Sequence, residues 1–216
     1  MAHPPYSLQP AASSPHLWVK VCGMTTEEGI DAAVAAGVDA VGFVFFPQSK
    51  RHVTPRQAAT LAARVPKGIL KVAVFLHPSQ AELDAVLAGF KPDVLQTDQE
   101  DLAGLAIPAD LPTLPVLRSG GPVPATLPAR ILFEGPVSGT GTTADWSTAP
   151  AIARRCELVL AGGLTPANVA EAVRSVVPFG VDVSSGVEKS PGIKDPARIA
   201  EFVRNARQSR GSGAQQ

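Results

Sequence analysis

The chain has 216 residues, enough for one large domain, and its 19 basic and 19 acidic side chains leave a net charge of zero. Balanced charge without a basic run, together with an aromatic share of 5 %, excludes the electrostatic footprint and stacking platforms of a nucleic-acid binder. No apolar run approaches the roughly 18 residues of a membrane span. The two cysteines, Cys22 and Cys156, are too few for a disulfide framework and suit a reducing cytoplasm.

Residues 1–15 hold four prolines and little apolar periodicity, and read as a disordered N-terminal extension. They lack the basic start and long apolar core of a secretory signal. Residues 17–21 then form a first apolar strand, and 26–36 an alanine-rich segment with helical spacing. Strand 40–45, helix 55–64, strand 69–76, helix 80–87 and strand 93–96 follow. Segments 98–105 and 122–127, on either side of strand 113–117, are too short or too proline-rich for firm helices. Strands 130–133, 157–160 and 180–183 come next, with helix 167–176 between the last two and helix 195–207 closing the series. The tail from Gln208 to residue 216 has flexible-linker composition.

Eight near-continuously apolar strands alternating with helices predict parallel strands covered on both faces. Residues 16–207 are therefore expected to form a single-domain α/β fold, a (β/α)₈ TIM barrel, with an open doubly wound sheet as the alternative. The barrel accounts better for two glycine loops at neighbouring late strands. One follows strand 157–160 in Leu160-Ala-Gly-Gly-Leu164, and the other follows strand 180–183 in Ser184-Ser-Gly186. Such loops bring bare N–H groups and a helix N-terminus close to a ligand. After strands 7 and 8 of a barrel they build a phosphate site. The substrate class is thus a phosphorylated small molecule, and Gly162, Gly163, Ser184, Ser185 and Gly186 lie in these two loops.

Reactive side chains belong at the C-terminal ends of the strands. Cys22 stands there, ahead of Gly23 and a threonine helix start; it is either a small buried hydrophobe or a thiol tuned by its setting. Glu134 ends strand 6 and points to the mouth, unless it is only a solvated loop carboxylate. Asp182 lies within an apolar run, where an ionised carboxylate needs partners. Arg51 follows strand 2 and offers a planar fork to a carboxylate, although Lys50 and His52 make a plain basic turn an equal alternative. Lys20 shares the parity of Cys22, and so its face of the strand.

These segments together resemble the phosphoribosylanthranilate isomerase family over residues 19–202. The resemblance is carried by Lys20-Val-Cys-Gly23, Gly42-Phe-Val-Phe45 with Ser49-Lys-Arg51, and Ser138-Gly-Thr-Gly141 with Asp145-Trp146. Leu160-Ala-Gly-Gly-Leu164 with Asn168 and Gly180-Val-Asp-Val-Ser-Ser-Gly-Val-Glu188 with Pro191-Gly192 and Lys194-Asp195 complete it. It implies an Amadori rearrangement in tryptophan biosynthesis, using no metal and no cofactor. Cys22 would be the base, the strand-6 carboxylate the acid, Arg51 the anthranilate holder and Asp182 a contact for the ribose hydroxyls. Two residues depart from the family pattern. Glu134 replaces an aspartate, and Asp98 in Leu95-Gln-Thr-Asp-Gln99 replaces a histidine. Barrels of histidine biosynthesis carry an aspartate where Cys22 stands, and indole-glycerol-phosphate synthase depends on strand-end lysines, so both fit less well. A barrel that binds phosphate but has lost turnover is the non-enzymatic alternative. Nothing in the pattern separates a monomer from a homodimer.

Overall fold

The computed structural model describes residues 16–135 and 145–211. The extension 1–15, the 138–141 loop and the last residues of the tail lie outside the described residues. Eight parallel strands close on themselves in sequence order: β1 (Trp18–Cys22), β2 (Ala40–Val44), β3 (Leu70–Val74), β4 (Val94–Asp98), β5 (Thr113–Arg118), β6 (Arg130–Glu134), β7 (Glu157–Leu160) and β8 (Gly180–Val183). Because β8 pairs with β1, the open doubly wound alternative is excluded.

Strand alternation divides the apolar residues into two layers. Side chains such as Val19, Val41, Phe43, Leu95, Phe133 and Leu160 point outward and are buried beneath the helices. Leu114, Val116, Leu132, Val159 and Ala161 form a smaller cluster, packed against Trp18 and Phe179. Continuing the same parity one step along β1, β4, β5, β6 and β8 puts Cys22, Asp98, Arg118, Glu134 and Asp182 at the C-terminal mouth. The register fixes their neighbours: Lys20 sits opposite Asp182, Cys22 opposite Gly42, and Arg118 opposite Glu134.

The outer layer contains α1 (Glu27–Ala36), α2 (Pro55–Ala62), α3 (Gln80–Gly89), α4 (Ala149–Ala153), α5 (Val169–Val176) and α6 (Pro196–Gly211). The starts follow the sequence signals. Thr54 and Ser79 form capping boxes with Gln57 and Glu82, Pro55 occupies the first turn of α2, and Thr26 caps α1. Segment 98–105 supplies only a 3₁₀ turn, Asp101–Gly104. Segment 122–127 is not helical, since Pro122 and Pro124 remove two backbone donors. The five-residue α4 precedes β7 and stops at Ala153, three residues before Cys156. Beyond β8, a 3₁₀ turn (Ser185–Val187) leads into a small hairpin of β9 (Glu188–Ser190) and β10 (Ile193–Lys194).

The tail from Gln208 is not linker throughout. The last helix runs on to Gly211, four residues beyond its expected end. Composition hides the cause: Arg210 reaches under the barrel and its Nη1 donates to the Pro178 and Phe179 carbonyls at 2.9 and 3.1 Å. Ser209 is buried and donates to the Ala206 carbonyl. Replacing Arg210 with alanine strands two carbonyls and is expected to cost about 1–2 kcal/mol, read by urea denaturation.

Candidate active site

The seam between β1 and β8 holds a buried ion pair. Lys20 is fully buried, and its Nζ donates to Asp182 Oδ1 at 2.9 Å. Burial opposes the lysine's charge, but Asp182 and the neighbouring Cys22 outweigh it, so the ammonium is held above its usual range. Cys22 is 7 % exposed. Burial pushes its thiol up, and Lys20 only partly counteracts this. Such a thiolate is scarce but strongly basic. The space at Cys22 is set by β2, because a Cβ on Gly42 would come 2.9 Å from the sulfur.

Arg51 stands on the loop after β2 and faces the hairpin beyond β8. Its Nε and Nη2 donate to the two carboxylate oxygens of Glu188 at 2.7 and 2.9 Å. Lys194 Nζ reaches Glu188 Oε1 at 2.9 Å and the Ser184 carbonyl at 3.0 Å. Burial raises the Glu188 carboxyl, but the Arg51 hydrogen bond and Lys194 more than reverse this, so it stays below the ordinary range. Burial wins at Lys194, whose ammonium is lowered. The fork expected to be free for a substrate carboxylate is thus half engaged. Among the described residues, the remaining Nη1 has no hydrogen-bond partner.

Glu134 ends β6 with its side chain 17 % exposed. Arg118, across the β5–β6 register, places Nη1 3.8 Å from Glu134 Oε2 and 3.5 Å from the Gly135 carbonyl. The Nη2 of Arg118 is held by Asp98, at 2.8 and 3.0 Å from its two oxygens. His77 lies beyond, with Nε2 3.6 Å from Asp98 and Nδ1 2.9 Å from Asp101. The Asp101 hydrogen bond holds the imidazole above its usual range. The donor atoms of His77, Asp98 and Asp101 come close enough for a cation, but their pairing with one another and with Arg118 accounts for the cluster.

The two glycine loops meet. Gly162 and Gly163 both have positive φ, 87° and 74°. Asn168 pins their loop by donating to the Gly163 carbonyl at 3.0 Å and accepting from Thr165 N at 2.8 Å. Gly186 presses against this loop so closely that a Cβ would lie 2.0 Å from the Leu164 carbonyl oxygen. Ser184 turns its hydroxyl away and donates to the Cys22 carbonyl at 3.0 Å, which joins the cradle to β1.

A cavity of about 670 Å³ opens at the C-terminal ends of the strands, within the range of small-molecule sites. Cys22, Arg51, Glu134, Asp182, Ser184 and Ser185 share its wall. Gly162, Gly163 and Gly186 are not in that wall; Gly186 forms the loop contact with Leu164. Sequence reasoning sets Lys20 on the face of Cys22 but gives it no role in the reaction. It passes over Arg118, the last inward position of β5, and Glu188, which lies within the Gly180–Glu188 motif. Gln96, another wall residue, is buried, and its Oε1 has no partner among the described residues.

The closed barrel and a polar cavity at the C-terminal ends of its strands define a (β/α)₈-barrel enzyme. Residues 19–205 match the family model for N-(5′-phosphoribosyl)anthranilate (PRA) isomerase. The chain belongs to that family. The N-(5′-phosphoribosyl)anthranilate isomerase of Paracoccus denitrificans is 42 % identical over 209 residues, covering 87 % of this chain and 96 % of that protein. A solved phosphoribosyl anthranilate isomerase in complex with reduced 1-(o-carboxyphenylamino)-1-deoxyribulose 5-phosphate is 29 % identical. It superposes with a TM-score of 0.71 over 89 % of this chain and 100 % of its own. The Thermotoga maritima enzyme, solved as monomers generated from a dimeric protein, is 31 % identical with a TM-score of 0.75 over 89 and 100 %.

Two outcomes test these electrostatics. Glu188→Gln leaves two cations uncompensated, an expected loss of about 3 kcal/mol at pH 7. The depressed carboxyl contributes stability that is complete above the ordinary value of about 4.3 and disappears as pH falls through its folded value. The gap between wild type and Glu188→Gln should therefore narrow below about pH 4 in thermal melts. Alkylation of Cys22 by iodoacetamide, followed by mass spectrometry, should rise with a midpoint above the ordinary thiol value of roughly 8.5. Lys20→Met should move that midpoint higher still.

Proposed function

We propose that this member of the family converts N-(5-phosphoribosyl)anthranilate to 1-(2-carboxyphenylamino)-1-deoxyribulose 5-phosphate, with Glu134 as general acid and Cys22 as general base. The observation that carries this reading is the convergence of Cys22, Glu134, Asp182 and Arg51 on one cavity beside the two glycine loops. The protein's catalytic unit is residues 16–211, preceded by a non-catalytic extension, and it works in the cytoplasm. Among the described residues no helix is long and apolar enough to cross a membrane.

The phosphate binds against the amides near Gly162, Gly163, Ser184, Ser185 and Gly186, which anchors the ribose over β1 and β8. The free edge of Arg51 meets the anthranilate carboxylate, and Glu188 holds that guanidinium in one orientation. Glu134 then gives its proton to the furanose ring oxygen, the C1–O bond breaks, and an iminium forms between C1 and nitrogen. Cys22 takes the C2 proton, and the C–H electron pair becomes the C1–C2 double bond of an enolamine. The enolamine then gains a proton at C1 and loses the proton of its C2 hydroxyl, which leaves the ketone at C2; the net exchange returns Cys22 to its thiolate and Glu134 to its acid. C1 is reduced as C2 is oxidised, so no external oxidant or reductant is needed.

The iminium also explains how a raised thiol serves as base. Its positive charge next to the acidic C–H favours the thiolate when the base is needed, and Lys20 adds a fixed cation. Asp182 takes up a ribose hydroxyl with the oxygen that Lys20 does not occupy.

The fluorescence decay of freshly generated phosphoribosylanthranilate tests the assignment. Wild type should turn over, Cys22→Ala should lose about 10³-fold or more in kcat, and Glu134→Gln about 10²-fold or more. Gly186→Ala, which forces the two loops apart, should raise KM by about tenfold. A silent wild type that still binds a product analogue would instead favour the non-catalytic phosphate-binding barrel.

A further inference from the structure

Glu134 is one methylene longer than the aspartate the family pattern carries, and a longer arm has more rotamers through which to miss the ring oxygen. A displacement of about 1 Å at a reacting group costs on the order of 10²-fold in rate. Something must hold that carboxyl. The neighbouring strands supply it: Arg118 faces Glu134 across the β5–β6 register, with Nη1 3.8 Å from Oε2. Its other terminal nitrogen lies 2.8 and 3.0 Å from the two Asp98 oxygens, and Asp98 is 4 % exposed at the end of β4. The same guanidinium donates to the carbonyl of Gly135, where the chain leaves β6.

We propose that Arg118, braced by Asp98, is a positioning residue for the Glu134 carboxyl, so that the two departures from the family pattern form one unit. This rests on the assignment of Glu134 as the acid. The chemistry suits the step. When Glu134 releases its proton, the charge that appears on it faces a guanidinium already fixed in place, with no reorganisation required. A lone arginine would hold this position poorly, because its long side chain gives up rotamer freedom on being fixed. Asp98 removes that freedom beforehand, with its carboxylate against one end of the guanidinium. A histidine at position 98 would offer Arg118 no such anion. Asp98 and Glu134 are therefore linked through Arg118.

The test is a set of steady-state measurements on Arg118→Met, Arg118→Lys, Asp98→Asn, Glu134→Asp and their doubles. Thermal melts of each protein confirm that it is folded. Arg118→Met should lower kcat by about 10²-fold with KM within about threefold, and lysine should restore part of the loss. Asp98→Asn should cost less, and in the Arg118→Met background it should cost almost nothing, because it acts only through Arg118. Arg118→Met should likewise cost less when Glu134→Asp is already present. An unchanged kcat, a rise in KM alone, or losses that simply multiply in the doubles would overturn the proposal. If Arg118→Met does not fold, the Arg118→Lys and Asp98→Asn pair decides the same question. A wild type without turnover overturns the assignment of Glu134 instead, which keeps the two failures distinct.

Discussion

Closure of the barrel brings β1 against β8, and at that seam a lysine and an aspartate face each other with almost no water. The pair Lys20–Asp182 is the constraint on which the rest of the site depends. Separating such buried charges costs about 3–5 kcal/mol, so the seam holds one register. That register places Cys22 at the rim, lets Ser184 bond back to the Cys22 carbonyl, and aligns the loop beyond β8 with the one beyond β7. One ion pair thus ties the Cys22 end of the cavity to the glycine loops.

A second buried network, Arg51–Glu188–Lys194, does comparable work at the far wall. Glu188 accepts from two cations and is kept ionised by them, while Lys194 also holds the Ser184 carbonyl. The hairpin that carries Glu188 and Lys194 is therefore a support for the site and not an ornament of the last crossover. The third network, from His77 through Asp98 and Arg118 to Glu134, has looser geometry and more exposure. The β8 side of the cavity is anchored by the almost fully buried lysines Lys20 and Lys194, and the β4 to β6 side by the partly exposed Arg118 and Glu134 around a buried Asp98.

Most of the scaffold was legible in the sequence because it follows from period. Parallel strands covered on both faces must be continuously apolar, and those runs in 17–183 coincide with the eight strands to within one or two residues. Caps at Thr54 and Ser79 were legible for the same local reason. The helical tail was not, because what holds Arg210 is a pair of carbonyls about thirty residues away in sequence. The individual positions of Cys22, Glu134 and Asp182 could be read from parity and strand ends. Their partners could not: that Glu188 occupies the fork of Arg51, or that Arg118 lies between Asp98 and Glu134, depends on register across strands. Arg118 was within reach, since Leu114, Val116 and Arg118 continue one inward-facing row.

The contact between Gly186 and the Leu164 carbonyl has a consequence for how this cavity can change over time. The two loops meet with no room for even a methyl group, so that half of the cavity is fixed in shape. Variation is left to the opposite wall, where Arg118 and Glu134 are less buried. Lineages descending from such a barrel are expected to keep one handle and to diversify by what they attach to it.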